Sequence, residues 1–225
     1  MIVSNISMDK ESVYDTTVKQ LLSHNLNTEE KTKLYTDWSS TYELNLKQFG
    51  YAANSKCSEV LCKYYPENRE NIVILDVGAG TGLLAEELAT KGFKTINGID
   101  PSPGMLKEAE KKKLYRNVFC SYFTSKPLPF FKQDSFDLLA VVGSFGTGHI
   151  PYDAIIEMIR ITKPGGVICI SNRRSPFYES PDYVDKFFPL CDQLEQEGKW
   201  KKEEITTYKG FMENADGIII VYRVN

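Results

Sequence analysis

Two histidines and two tryptophans are all that this chain of 225 residues carries, and its five cysteines form no Cys-x-x-Cys pair. Cys57, Cys62, Cys120, Cys169 and Cys191 are an odd set, none clustered with His24 or His149, which argues against both structural zinc and a disulfide framework. Cys120 and Cys169 stand in apolar strand-like stretches and are expected to be small core hydrophobes. Free thiols fit a reducing compartment, so a cytoplasmic location is expected. No apolar run approaches the ~18 residues of a membrane span. Met1 to Glu11 has no basic region leading into a hydrophobic one, so no cleaved leader is expected. Positive charge is not in excess either. Lys and Arg number 27 against 30 acids, a net charge of -3, which gives no general pull on phosphate backbones and argues against nucleic acid as a partner.

The chain is 42% hydrophobic, and no repeat or low-complexity linker divides it, so it reads as one domain over 1–225. A chain of this size buries roughly 70% of its unfolded surface and needs no staples. Residues 1–66 read as helical. Val18, Leu21 and Leu22 follow a polar leader; Asn27-Thr28-Glu29-Glu30 caps a helix that carries Leu34, Tyr35, Trp38 and Tyr42 toward one side; a third stretch holds Tyr51, Ser55, Val60, Leu61 and Tyr64 before Pro66. From Asn71 strands alternate with helices: strands over 72–77, 95–99, 117–122, 136–142 and 167–171, helices over 83–91, 104–114 and 154–162. A further helix over 183–196 precedes strands over 204–212 and 217–224, with a hairpin expected at Glu213 to Gly217 on its Asp-Gly pair. Continuous apolar strands joined by crossover helices imply a parallel sheet covered on both faces. The expected fold is α/β and doubly wound: a mostly parallel, seven-stranded, Rossmann-like sheet over 71–225 that ends in an antiparallel hairpin, with N-terminal cap helices over 1–66.

Ligands of such sheets bind beyond the carboxyl ends of the strands, where strand order reverses. Asp76-Val77-Gly78-Ala79-Gly80-Thr81-Gly82 supplies glycines where the chain turns sharply and leads into a helix whose free N–H groups suit an anion. Asp100 follows Gly78 by 100 minus 78, or 22, residues, the spacing at which a carboxylate meets ribose hydroxyls. A dinucleotide fingerprint would place its third glycine at position 83, which is Leu83. Asp76 would repel a pyrophosphate and attract an ammonium group. Ribose, carboxylate and amine together describe S-adenosylmethionine.

Ile74-Leu75-Asp76-Val77-Gly78-Ala79-Gly80-Thr81-Gly82 and Gly98-Ile99-Asp100-Pro101-Ser102-Pro103-Gly104-Met105-Leu106 resemble the first two motifs of class I S-adenosylmethionine-dependent methyltransferases. Pro127-Leu128-Pro129-Phe130, Ser135-Phe136-Asp137 and Thr162-Lys163-Pro164-Gly165-Gly166 resemble their later landmarks, so the likeness covers roughly residues 31–225. Tyr35-x-x-Trp38-x-x-x-Tyr42, Val141-Val142-Gly143 and Leu194 to Trp200 are similar to the methyltransferase-like proteins of the Williams-Beuren syndrome chromosome region. The resemblance implies a backbone cradle of Gly78, Ala79, Gly80, Thr81 and Gly82 for the methionine part, with Asp76 near its ammonium group. It implies Asp100 on the ribose, Pro101 and Met105 on the adenine, and Val142 and Gly143 beside the reacting methyl. Where related enzymes place an acid for the adenine amino group, this chain has Thr124, so recognition would fall to backbone near Tyr122 to Thr124, with Phe123 as a stacking surface.

Tyr35, Trp38 and Tyr42 form one aromatic stripe; Trp38 is expected to pack the helix on the core and Tyr42 to reach the cofactor. His149, in a glycine-rich loop expected to be mobile, is either a loop histidine capping the helix after Pro151 or, with an ordinary pKa near 6.5, a candidate general base. Tyr42 and His149 are thus the catalytic candidates, and no metal is expected. The Lys107 to Arg116 charge run, interleaved with Glu108 and Glu110, reads as a solvated helix face. An Asn-Pro-Pro-aromatic motif is absent after the fourth strand, where Gly143-Ser144-Phe145-Gly146 stands. A small-molecule acceptor for an O- or N-directed methyltransferase is therefore expected, acting as a monomer, with a protein acceptor second. A non-catalytic S-adenosylmethionine-binding regulator and a nicotinamide-dependent oxidoreductase are the other classes considered.

Overall fold

The computed structural model describes residues 17–23 and 25–225. His24 and the Met1 to Glu11 leader lie outside the described residues. Helices α1 (Lys19–Leu22), α2 (Thr28–Trp38), α3 (Tyr42–Gln48) and α4 (Ala53–Tyr64) precede strand β1 (Val73–Val77). Then come α5 (Leu83–Thr90), β2 (Thr95–Asp100), α6 (Pro103–Lys111), β3 (Tyr115–Cys120), β4 (Phe136–Val142), α7 (Ile155–Ile161) and β5 (Thr162–Arg173). Helices α8 (Ser175–Glu179) and α9 (Phe187–Gln196) lead to β6 (Trp200–Met212) and β7 (Ala215–Val224).

The seven strands form one sheet in the order β3-β2-β1-β4-β5-β7-β6. β1 to β5 pair in parallel; β7 runs antiparallel to both β5 and β6. Strand order reverses between β1 and β4, so the loops after Val77 and Val142 open side by side. Successive residues of β1 feed opposite faces: Leu75 and Val77 join Phe145, Met158 and Phe187 on one side, while Ile74 packs with Leu61, Leu84 and Leu88 on the other. No helix among the described residues is long and apolar enough to cross a membrane.

The Asn27 cap forms as expected. Its side chain accepts from Glu30 N at 2.9 Å, and Glu30 returns the bond to Asn27 N at 2.8 Å. That helix stops at Trp38, however, and Tyr42 opens α3, whose turn returns the phenol to 4.8 Å, centroid to centroid, from Trp38. Trp38 is core, its indole donating to Asn45 Oδ1 at 2.8 Å. Gly104 explains how the cap helix docks: a Cβ there would lie 2.6 Å from the Thr36 carbonyl, so only glycine lets α2 and α6 touch. Thr36 and Ser102 hydroxyls close the joint at 2.8 Å.

Three expectations need correction. Cys120 ends the edge strand β3 and is exposed, because that strand has no neighbour on its outer side; Cys169 is buried, its sulfur 3.8 Å from that of Cys57. The hairpin turns at Glu213-Asn214, with Asn214 at φ 60°, and Asp216-Gly217 belongs to β7. Gly217 is needed there because the Tyr208 ring lies 2.2 Å from where its Cβ would be. The Thr162 to Gly166 segment is already strand, joined to β4 through a register shift between Phe136 and Leu138.

Candidate functional site

Beyond β1, Gly78, Gly80 and Gly82 adopt left-handed φ values of 76°, 54° and 88°, a conformation that favours glycine. Each serves a different neighbour. A Cβ on Gly78 would lie 2.1 Å from Ser144 Oγ, so this glycine seats the loop after β4. Gly82 faces Tyr115 and Ala109, lines none of the cavities described below, and lets α5 pack on α6. Gly80 has nothing within 4 Å of its Cβ position and faces open space, which leaves its backbone bare. Asp100 fastens the loop from the next strand. Its Oδ2 accepts from Gly80 N at 2.9 Å and its Oδ1 from Ser102 N at 2.8 Å. Burial raises its pKa to about 6 against the pull of those two bonds.

A cavity of about 450 Å³ lies over this junction. It gathers Tyr42, Gly78, Gly80, Asp100, Pro101, Met105, Tyr122, Phe123, Val142 and Gly143 from the residues singled out in the sequence. Asp76, Ala79 and Thr81 line instead a recess of about 30 Å³ behind the loop, together with Tyr42, Tyr51 and Asn54. The Thr81 hydroxyl is buried there with no protein partner. Thr124 Oγ1 accepts from Lys126 N at 3.2 Å, a turn contact within its own loop.

Asp76 is 1% exposed and accepts from the Tyr115 hydroxyl at 2.6 Å. Burial raises its pKa to about 7 despite that bond, against roughly 3.9 in an unfolded chain. Such a group contributes stability that is full below the unfolded pKa and lost as pH rises through the folded one. Melting temperature is therefore expected to fall between pH 5 and pH 8 more steeply in the wild type than in Asp76→Asn. Parallel curves would show that Asp76 stays ionised across that range.

A second cavity, of about 410 Å³, adjoins the first. Tyr35, Tyr42, Gly143 and His149 line both and so form the wall between them. Tyr51, which the sequence reading passed over, puts its hydroxyl against Gly143, 2.4 Å from where a Cβ would stand. His149 is not a loose loop base. Its Nδ1 donates to the Thr147 carbonyl at 2.9 Å, which leaves Nε2 to accept from the Tyr35 hydroxyl at 3.0 Å. Burial, then the charge of Lys31, push its pKa down to about 4, so near neutral pH it is an uncharged ring with both nitrogens engaged.

The loop carrying it is fastened rather than mobile. The Asn172 amide accepts from Phe145 N at 3.0 Å and donates to Phe145 O at 2.9 Å, Tyr183 accepts from Gly146 N at 2.9 Å, and Thr147 and Ser180 hydroxyls meet at 3.0 Å. Lys31 of α2 is 1% exposed, and its ammonium donates to Leu21 O, Ser23 O and Thr147 O at 2.7, 2.8 and 2.6 Å. One side chain thus joins the chain ahead of the cap helix to the loop after β4.

A family description for a methyltransferase domain matches residues 75–170. Human Methyltransferase-like protein 27 is 33% identical over 172 residues, 76% of this chain and 69% of that protein. The demethylmenaquinone methyltransferase of Renibacterium salmoninarum is 36% identical over 107 residues, 47% of this chain and 43% of the relative, so the chain spans less than half of that protein. Among solved structures, a TehB-like S-adenosylmethionine-dependent methyltransferase from Corynebacterium glutamicum superposes with a TM-score of 0.60 at 16% identity, over 86% of this chain and 100% of the other. That last likeness concerns the fold alone.

Proposed function

The chain belongs to the class I S-adenosylmethionine-dependent methyltransferases, and from that premise we propose that it methylates an oxygen or nitrogen of a small-molecule acceptor. The observation that carries this reading is the pair of adjoining cavities, one over the glycine loop and one beyond Gly143, the second of a size suited to a small ligand. The name of the Renibacterium salmoninarum relative, a demethylmenaquinone methyltransferase, supports the small-molecule part of this reading but not the choice of oxygen or nitrogen.

The residues suit the cofactor. Asp100 keeps acceptor lone pairs beyond its two backbone bonds and would receive the ribose hydroxyls. Pro101, Met105 and Phe123 would pack against the adenine, beside backbone of Tyr122 and Thr124. The orphaned Thr81 hydroxyl, open Gly80 and buried Asp76 would take the methionine end, and Tyr42 would close the cap over it. Asp76, whose raised pKa marks a poorly solvated carboxylate, would ionise fully beside an ammonium group. When bound, S-adenosylmethionine supplies an electrophilic methyl on a positively charged sulfur.

The protein's part in transfer is then positioning, which supplies much of the catalysis in an in-line displacement. Gly143, lacking a side chain, makes room for the Tyr51 hydroxyl at the wall between the cavities. Tyr51 and Tyr42 stand at that wall, and their hydroxyls would orient the acceptor. Neutral His149 accepts from Tyr35 and so fixes the phenol in the shared wall; its role is to position Tyr35 rather than to remove a proton directly.

Calorimetric titration is expected to give micromolar binding of S-adenosylmethionine and S-adenosylhomocysteine and none of NAD. Incubation with a radiolabelled methyl donor and a cell extract is then expected to label the small-molecule fraction. Binding of the cofactor with label entering only macromolecules would overturn the acceptor class, and preference for NAD would overturn the site itself.

A further inference from the structure

The second cavity has a largely apolar wall and two charges, Arg173 and Glu179, neither of which has an ion-pair partner among the described residues. Leu21, Trp38, Leu46, Phe145, Phe211 and Met212 make the apolar part of the wall. Arg173, the last residue of β5, enters it half-buried. Its Nη2 lies 3.0 Å from the Met212 sulfur, a weak acceptor, and among the described residues no carboxylate makes an ion pair with it. Glu179, the one acid in the same wall, forms no ion pair with it, and Asp216 nearby is taken by Lys209 at 2.7 Å. Arg174 next door stacks on Tyr178 at 4.3 Å and lines a separate recess with Arg173. A guanidinium fork carries five N–H donors in a plane that matches a carboxylate, and here at most one of them is engaged.

The fold also sets a length. Val142 pairs with Ser171, and Gly143 N donates to Ser171 O at 2.9 Å, so the Gly143 end of the wall between the cavities lies beside Ser171. Arg173 stands two residues further along the same strand, roughly 7 Å at the ~3.3 Å rise of a parallel strand. One small molecule can bridge those two backbone positions.

Resting on the reading above, we propose that the acceptor is a small aryl carboxylate, its anionic group held by Arg173, its rings on the apolar wall, and its nucleophilic atom at the Gly143–Tyr51 end. Arg173 fixes which molecules are accepted and in which orientation; it has no place in the cofactor cavity.

The test uses matched probes with S-adenosylhomocysteine-loaded protein: 6-hydroxy-2-naphthoate against 6-hydroxy-2-naphthamide, 4-hydroxyphenylacetate against its amide, and 6-(aminomethyl)-2-naphthol. Calorimetry is expected to show at least one acid bound ten-fold or more tightly than its amide, as a charge-assisted fork implies. Arg173→Met is expected to erase that preference while the amide affinity stays within two-fold, and Arg173→Lys to restore part of it. An unchanged dissociation constant for S-adenosylhomocysteine shows that both variants are folded. Acid and amide bound equally, neither acid bound, or the amine bound most tightly would each overturn the proposal. Failure of the wild-type protein to bind S-adenosylhomocysteine would instead overturn the functional reading beneath it.

Discussion

Asp100→Ala is expected to raise the dissociation constant for S-adenosylhomocysteine at least a hundredfold. Two losses combine. The carboxylate is the acceptor assigned to the ribose hydroxyls, and it also pins Gly80 and Ser102 by their N–H groups. Hydrogen bonds to a charged group contribute about 1.5–3 kcal/mol each, so two ribose bonds alone correspond to roughly a hundredfold or more. Release of Gly80, a glycine in the left-handed region, removes the shape of the cradle as well. The unliganded protein loses far less. Burial already strains this carboxylate, with its pKa raised to about 6, and alanine removes a poorly solvated charge along with the bonds. Asp100→Asn keeps one acceptor but turns its amide N–H toward one of the two backbone donors, and an intermediate affinity is expected. Calorimetry of the three proteins at pH 8 checks this ordering. Equal affinities for wild type and Asp100→Ala would remove Asp100 from the site.

Local grammar in the sequence reached the sheet and the first cavity, and it stopped where long-range packing took over. β4 runs over Phe136–Val142 as read, since a strand buried on both faces is a continuous apolar run bounded by turn residues. The Asn27 cap and the Gly78 to Gly82 loop were legible because their chemistry is contained in a few successive residues. The separate tasks of the three glycines were not. Ser144, 66 positions beyond Gly78, and Tyr115, beyond Gly82, decide what each one faces, and no spacing rule joins them. Tyr51 read as one more aromatic position of a helical stretch, which in fact begins at Ala53. Only the docking of the cap on the β4 end sets its hydroxyl against Gly143. His149 misled for a related reason: glycines on either side suggest a mobile loop, whereas Asn172 of β5 and Ser180 and Tyr183 of the connection after α8 tie that loop down. Arg173 ends an apolar strand, where a basic residue ordinarily marks the return to solvent.

Lys31→Met is expected to loosen the cap while leaving the sheet intact. Lysine in a helix is usually a solvated charge, and this one is buried with its three protons given to three carbonyls. Burial lowers its pKa, opposed in part by the field of Asp182. Methionine matches its length and apolar stem but leaves Leu21 O and Ser23 O without their donor. Thr147 O keeps the bond from His149 Nδ1. Each buried acceptor so orphaned costs about 1–3 kcal/mol, and the cap can avoid that cost by opening to water. Hydrogen exchange over residues 17–38 is therefore expected to speed up at least tenfold, with β1 and β4 unchanged, and affinity for S-adenosylhomocysteine to fall tenfold or more. A second readout separates this strut from general destabilisation. The Lys31 charge helps to depress His149, so the variant is expected to raise the His149 pKa from about 4, with burial still holding it below 6.5, as an NMR titration of the ring would show. An unmoved His149 titration with unchanged exchange would mean that the ammonium joins nothing across the cap, and that the lid over the cofactor is held by α2 packing on Gly104 alone.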